Sequence, residues 1–289
     1  MSVLVNLVRR NNKLFFRDKA SLFFSLLSAL IVLGLYLLFL RRLNVASLEQ
    51  AIGDAAYNVI DSWMFSGILA IITVSSTLGA FGTMVDDRYR KISRDFLASP
   101  VRRSSLTAGY ILTSVIIGIV LFLIALGLCQ IYMAGNGFLL LSPLEFLKLL
   151  GVLIITVFSS SALMFFLISF IKTLNAYSTA SAIIGTLIGF VTGVYMPIGM
   201  FPESVQTVIK LIPPSHGAML MRQIMTSRPI EAGFVGAPAE ALAEFRTQMG
   251  IDFVVGGEIL PAWISILFLL AAGFLFFCLG LLKMRQKEK

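Results

Sequence analysis

Six uncharged apolar stretches, each about 20 residues or longer, constrain the fold of this 289-residue chain more than any other feature. They are Ala20–Leu40, Trp63–Met84, Leu106–Met133, Leu149–Ile171, Ala176–Pro197 and Ala262–Leu282. A helix of about 20 apolar residues crosses the hydrocarbon core of a bilayer and satisfies its own backbone polar groups there. With 58% hydrophobic and 13% charged residues, the composition excludes an ordinary soluble domain. We therefore predict an all-α integral membrane protein whose six transmembrane helices form one domain, residues 1–289.

The distribution of basic residues predicts the orientation. If the N-terminus is inside, the cytoplasmic segments are 1–19, 85–105, 172–175 and 283–289, and they hold 16 of the 23 Lys and Arg residues. Cytoplasmic loops of membrane proteins carry such an excess. We therefore expect both termini in the cytoplasm and the protein in the plasma membrane. Arg41 and Arg42 are exceptions on the outer side.

Two cytoplasmic segments have amphipathic patterns. In residues 3–17 the apolar side chains share one face and the basic ones cluster on the other, which predicts a helix lying in the inner headgroup layer. The alternative is a basic flank that only sets the topology. In the 85–105 loop, Val85, Tyr89, Ile92 and Phe96 form one helical stripe that Pro100 ends. The second helix could rest on lipid or dock into a groove of a soluble partner.

The outer region, residues 198–260, contains apolar runs too short to cross the membrane. Pro213 and Pro214 separate two of them, and a third helical pattern runs near 239–249. We predict short re-entrant helices on the outer side, with protein burying their ends.

No motif in the sequence supplies catalytic chemistry. There is no phosphate-binding P-loop, no metal-ligand cluster and no nucleophile motif, so the chain is not expected to be an enzyme by itself. His216, the single histidine, favours a structural role. The apolar stretches hold no charged residue, which disfavours an ion-coupled carrier, although this alternative stays open.

Small and hydroxyl-bearing residues inside the stretches mark either a transport path or helix packing. On the second and fifth stretches the candidates are Ser75, Ser76, Ser178, Thr179, Gly185, Gly189 and Gly193. The three glycines are spaced by four and are predicted to share one face of the fifth span, where another helix can approach closely.

This organisation resembles the permease subunit of a type-2 ABC transporter of the bacterial exporter family. The likeness rests on the charged amphipathic segment Asp86–Pro100 and on Tyr195–Pro202 continuing to Gly217. It implies that residues 85–100 form a coupling helix on a cytoplasmic ATPase. The implied docking residues are Tyr89, Ile92, Phe96 and Leu97, with Arg88, Arg90, Lys91 and Arg94 at the rim and Pro100 at the end. Family members often carry a Glu-Arg-Glu-x-Gly-like sequence where this chain has Asp86–Ile92, which leaves the particular partner open.

The resemblance also implies the partners and the activity. Two permease subunits, identical or related, would pair in the lipid bilayer with two ABC ATPase subunits that bind ATP and Mg, and no cofactor is expected in this chain. The expected function is outward movement of an amphiphile: a drug, a lipid-like metabolite or a hydrophobic peptide. Lipid-linked polysaccharide is the alternative cargo, and an ATPase-independent carrier or channel is the alternative class. The net charge of +8 fits cationic cytoplasmic loops, so no nucleic-acid partner is expected.

Overall fold

The computed structural model describes residues 3–92 and 103–286, and six helices within these ranges are long and apolar enough to cross a membrane. In chain order these spans 1 to 6 are Lys19–Ala46, Ala55–Tyr89, Ser104–Gly135, Pro143–Phe170, Leu174–Val191 and Ala262–Met284. The predicted all-α membrane fold is confirmed. Several helices continue past the apolar stretches that predicted them.

Span 1 combines three helical forms. Helix α1, Val3–Arg17, precedes it, and the Asp18 carboxylate then caps α2, Lys19–Leu35, by accepting backbone N–H groups. A π-helical turn, Tyr36–Leu40, follows, and α3 continues over Arg41–Ile52. The wide turn changes the face that the helix presents to span 2.

Span 2 is helix α4, Ala55–Tyr89, and it forms the centre of the subunit. Its 35 residues extend about 52 Å at 1.5 Å per residue, longer than the hydrocarbon core of about 30 Å. Spans 1, 3, 4 and 5 all pack against it. The predicted start at Trp63 is eight residues late, because polar residues such as Asp61 interrupt the apolar run although they are buried.

Spans 3 and 4 pack against span 2, and span 6 packs against span 4. They are α5, Arg103–Gly135, α6, Pro143–Phe170, and α12, Ala262–Gln286. Ser142 and Glu145 form a capping box at the start of α6. Gly273 and Gly280 let span 6 approach span 4, since an added Cβ would lie 2.6 and 2.5 Å from the rings of Phe158 and Phe165.

Span 5 is α7, Leu174–Val191, and it is the most exposed of the six. Gly193 lies beyond its end with φ +69°, and an added Cβ at Gly189 would meet Tyr195 of the same chain. The prediction of one glycine face along this span is therefore wrong, because the helix ends before Gly193 and the returning chain covers Gly189. Gly185 has only Ser28 of span 1 within 4 Å of its Cβ position.

The outer region folds into short helices and one hairpin. A 3₁₀ turn at Ile198–Met200 is followed by α8, Glu203–Lys210, α9, Pro213–Met225, α10, Ser227–Gly233, and α11, Ala239–Gln248. Strands β1, Val254–Val255, and β2, Glu258–Ile259, pair antiparallel. Helix α9 is almost wholly buried and packs against spans 2, 4 and 6.

Candidate transport cavity and cytoplasmic coupling site

A cavity of about 770 Å³ lies between spans 1, 2 and 5. Its walls are formed by Ser21, Phe24, Ser25, Leu27, Ser28 and Ile31 of span 1, by Val74, Ser75, Leu78, Gly79 and Gly82 of span 2, by Tyr177, Ser178, Ser181, Ala182, Ile184, Gly185, Thr186 and Ile188 of span 5, and by Tyr195. Phe24, Ser178 and Thr186 are exposed in the single subunit, so the cavity opens sideways between spans 1 and 5.

The cavity wall is apolar with a set of hydroxyl groups. Ser21, Ser25 and Ser28 follow helical spacing along one face of span 1. The hydroxyls of Ser28 and Ser75 are buried in the wall and have no hydrogen-bond partner within the described ranges. None of the lining residues is charged. This surface suits the uncharged body of an amphiphile, with hydroxyls for a few polar contacts.

Three of the predicted path residues meet at this cavity, namely Ser75, Ser178 and Gly185. The four others, Ser76, Thr179, Gly189 and Gly193, do not line it. The Ser76 hydroxyl donates to the Ile72 carbonyl, and the Thr179 hydroxyl donates to the Asn175 carbonyl, 3.0 Å away. Of the predicted residues, therefore, only Ser75, Ser178 and Gly185 could contact a ligand bound in this cavity.

At the C-terminal end of span 2, Asp87 binds residues of two other elements, α1 and span 3. It is 2% exposed and accepts from both terminal nitrogens of Arg10 on α1, each at 2.7 Å. The Tyr110 hydroxyl of span 3 donates to the same carboxylate at 2.6 Å. The hydrogen bond to Asp87 raises the pKa of Arg10. We call Arg10, Asp87 and Tyr110 the inner cluster; it joins residues on both sides of the 93–102 segment.

The predicted coupling stripe is not one continuous helical face. The helix ends at Tyr89, and Lys91 has φ +62°, which breaks the α-helical path. Val85 is buried, whereas Tyr89 is 63% exposed. Val85 belongs to the span 2 packing and Tyr89 is exposed at the helix end, so the prediction that they share one exposed stripe is wrong, whereas the docking role of Tyr89 stays a prediction.

The structure separates the basic residues that the resemblance placed at the rim. Arg88 turns inward, and its Nη2 lies 2.9 Å from the sulfur of Met284 on span 6. It is therefore not a rim residue. Arg90 pairs with Asp86 on the surface, and Lys91 is exposed. Ile92 is half-buried. Phe96, Leu97, Arg94 and Pro100 lie outside the described residues, so their docking role stays a prediction.

A second cluster, here called the outer cluster, lies at the opposite end of span 2. Asp61 is 0% exposed and accepts from Arg41, with Arg41 Nη2 at 2.7 Å, and from the Tyr36 hydroxyl. Tyr36 and Arg41 are five residues apart. In an α-helix that spacing would turn them about 140° away from each other, whereas the π-helical turn brings them to one face. Arg41 and Asp61 lie in the helical ends that extend beyond the predicted apolar stretches, and their pairing explains why Arg41 is tolerated there.

Sequence reasoning did not select Arg10, Asp87, Tyr110 or Asp61 as site residues. A signal was present for two of them, because Asp86 and Asp87 directly follow an apolar stretch and Arg10 faces the same side of the membrane. No sequence signal pointed to Asp61, because Tyr36 and Arg41 reach it together only through the π-helical turn.

The six spans, the lateral cavity and the inner cluster are features of a multi-pass membrane permease. A family model described as ABC-2 family transporter protein matches residues 45–282. The chain therefore belongs to the ABC-2 transporter family and is a transmembrane component of an ABC transporter, a class that works with ATPase partners. A comparison with curated proteins found no match.

Proposed function

We propose that this chain is the membrane subunit of an ATP-driven exporter that moves an amphiphile outward through the cavity between spans 1, 2 and 5. The single observation that carries the proposal is the uncharged, hydroxyl-lined cavity of about 770 Å³, which is large enough for a drug-sized molecule. Its sideways opening allows a molecule to enter from the bilayer.

The open side of the cavity supports a paired arrangement. Span 5 exposes Ile183, Leu187 and Phe190, and span 1 exposes Phe23 and Ile31. These apolar edges flank the opening, and a second permease subunit, identical or related, would complete the wall. ATP and Mg would bind to two cytoplasmic ATPase subunits. The surface around Tyr89, Arg90 and Lys91, with the segment that follows, would dock on them, and both termini would lie in the cytoplasm of a cell with this protein in its plasma membrane.

The inner cluster supports a route for the movement. A displacement of the 93–102 segment by the ATPase would act on Asp87 before it and Tyr110 after it, and Arg10 would transmit the displacement to α1. Such coupling requires that the ATPase bind the two arrangements of the permease with different affinity. Span 2 carries both Asp87 and Ser75, so a shift of this rigid helix would change the cavity.

Adjacent residues on span 5 offer a matched test. Ser178 lines the cavity and Thr179 does not, yet both are exposed. The chain would be purified with its co-purifying ATPase and placed in lipid nanodiscs. ATP turnover would then be measured with a fluorescently labelled lysophospholipid for Ser178→Trp and Thr179→Trp. We expect Ser178→Trp to lose about 10-fold of the stimulation and Thr179→Trp to keep it.

Two outcomes would contradict the proposal. Equal stimulation in both variants would place the path elsewhere. If no ATPase co-purifies and the chain alone moves the probe, the carrier or channel alternative is correct. Stimulation by a lipid-linked oligosaccharide, but not by lysophospholipid, would favour the polysaccharide alternative.

A further inference from the structure

One fully buried charge in the outer region has no partner. Arg222, on α9, is 0% exposed, and Nε, Nη1 and Nη2 of its guanidinium lack a hydrogen-bond acceptor among the residues that the structure describes. Burial lowers the pKa of Arg222 to about 9, so the group is still cationic at neutral pH. A buried cation that donates no hydrogen bond is costly, and such groups are ordinarily paired.

The surroundings of Arg222 favour a planar cation, and its edge has no hydrogen-bond acceptor among the described residues. The guanidinium carbon lies 4.6 Å from the ring centroid of Trp63 on span 2, so the ring covers one face by a cation–π contact. Three glycines surround the nitrogens. An added Cβ would lie 3.1 Å from Nη2 at Gly67, and 3.2 and 3.5 Å from Nη1 at Gly193 and Gly250. The nitrogens thus lie close to the backbone of three glycines, and the neighbouring side chains, Val194 and Ile198, are apolar and offer no hydrogen-bond acceptor.

A short turn separates this guanidinium from the transport cavity. Gly193 adjoins Arg222, the Cγ2 of Val194 would meet an added Cβ at Gly67 at 2.3 Å, and Tyr195 lines the cavity. Gly67 is seven residues from the cavity residue Val74 on span 2, about 10 Å along the helix. The turn 193–195 therefore forms the wall between the cavity and Arg222, on the outward side.

We infer that Arg222 is an outer binding residue for the anionic head, a carboxylate or phosphate, of an amphiphile whose apolar body occupies the cavity. An Arg fork matches either group by paired hydrogen bonds. The head reaches the guanidinium when the 193–195 turn moves aside. The inference rests on the proposed function, because it gives the substrate of that cavity a chemical class, an anionic amphiphile.

Trp63 provides the reporter. The chain has two tryptophans, and Trp263 is exposed on span 6, so Trp263→Phe leaves Trp63 as the single tryptophan beside Arg222. This background protein in nanodiscs would be titrated with octanoate, with octanamide as the uncharged isostere, and with acetate as the head group alone. We expect octanoate to change Trp63 emission at a concentration at least 10-fold below octanamide and acetate.

The variants identify the residue responsible. Arg222→Gln should abolish the preference for octanoate over octanamide, and Arg222→Lys should keep part of it. Equal responses to octanoate and octanamide in the background protein would overturn the inference, and that comparison needs no change at Arg222. A response to acetate equal to that of octanoate would also overturn it, because the site would then take a free anion.

The same titration separates the two proposals. Gly185 lines the cavity eight residues before Gly193, and Gly185→Phe adds no second tryptophan. If both eight-carbon probes bind equally and Gly185→Phe blocks both, the cavity is correct and the role of Arg222 is wrong. If Gly185→Phe leaves the binding of both unchanged, the cavity is wrong and the inference fails with it.

Discussion

The two ends of span 2 carry the same three residue types in different arrangements. In the outer cluster Asp61 binds Arg41 and Tyr36, and in the inner cluster Asp87 binds Arg10 and Tyr110. The two carboxylates are 26 residues apart along the helix, about 39 Å, which places each near a membrane boundary. Both are buried on the helix that lies at the centre of the subunit.

The clusters differ in where the partners come from. Tyr36 and Arg41 belong to one continuous span, so their bonds to Asp61 join span 1 to span 2, and Tyr132 of span 3 lies beside the same carboxylate. Arg10 and Tyr110 come from α1 and span 3, which lie on either side of Asp87 in sequence. Equal chemistry can therefore serve as an anchor at one end and as a link between cytoplasmic elements at the other. The predictions below test that distinction.

The largest stability loss is expected for Arg41→Met. It removes the charged partner of the buried Asp61 carboxylate, and removing one partner of a buried pair typically costs about 3–5 kcal/mol. Because the Arg41 side chain is 22% exposed, we expect a loss near the lower end, about 3 kcal/mol. Thermal unfolding in nanodiscs measures it. Arg42→Met, at an exposed neighbour, is the control and should change the stability by under about 0.5 kcal/mol.

Arg10→Met should affect coupling more than stability. The Arg10 side chain is 31% exposed, so its loss should cost about 1–2 kcal/mol. ATP turnover by the co-purified ATPase, stimulated by the lysophospholipid probe, should fall several-fold, whereas it should be unchanged in Arg9→Met, whose side chain is exposed. If Arg10→Met keeps full stimulation while Arg41→Met loses it, the roles assigned to the two clusters are reversed.

A smaller and symmetric effect is expected from the two tyrosines. Tyr36→Phe and Tyr110→Phe each remove one hydroxyl donor to a carboxylate that keeps its arginine, so each should lower the free energy of unfolding by about 1 kcal/mol. Only Tyr110→Phe should also reduce the stimulated ATP turnover. A similar loss of turnover in Tyr36→Phe would show that the outer end takes part in coupling.

Features of the fold that depend on nearby residues could be predicted from the sequence, whereas those that depend on contacts between distant residues could not. Periodicity placed α1 at residues 3–17, and the apolar stretches predicted six spans, because both signals are local. The start of span 2 was missed because a charged residue such as Asp61 ordinarily marks the end of an apolar span. Only the structure shows that Arg41 pairs with it. The prediction of one helical stripe through Tyr89 failed because the helix ends at that residue and Lys91 has φ +62°, although the apolar spacing in the sequence continues.

The candidate site was predictable only as a set of possible residues. Ser75, Ser178 and Gly185 were chosen for their size and polarity, and only the packing of spans 1, 2 and 5 separates them from Ser76 and Thr179. The environment of Arg222 could not be predicted, since Trp63 lies 159 residues away in sequence.

The smallest effect is expected from a neutral contact on the outer side. The His216 Nε2–H donates to the Lys210 carbonyl at 2.7 Å, so its Nδ1 accepts from the Ser265 hydroxyl at 2.9 Å, and burial lowers the pKa of His216. Because the folded state favours neutral His216, its contribution is complete above the unfolded pKa of about 6.5 and is lost as the pH falls through the lower folded pKa.

We therefore expect the unfolding temperature of the wild type to fall between pH 7.5 and 5.5, corresponding to about 1 kcal/mol or less, the usual value of a hydrogen bond. His216→Gln should lose this acid sensitivity. Arg41→Met and Arg10→Met should keep the contribution of His216, because the hydrogen bonds of His216 go to Lys210 and Ser265 and involve neither arginine. An acid-induced loss that persists in His216→Gln but disappears in Arg10→Met would instead assign the acid sensitivity to the inner cluster.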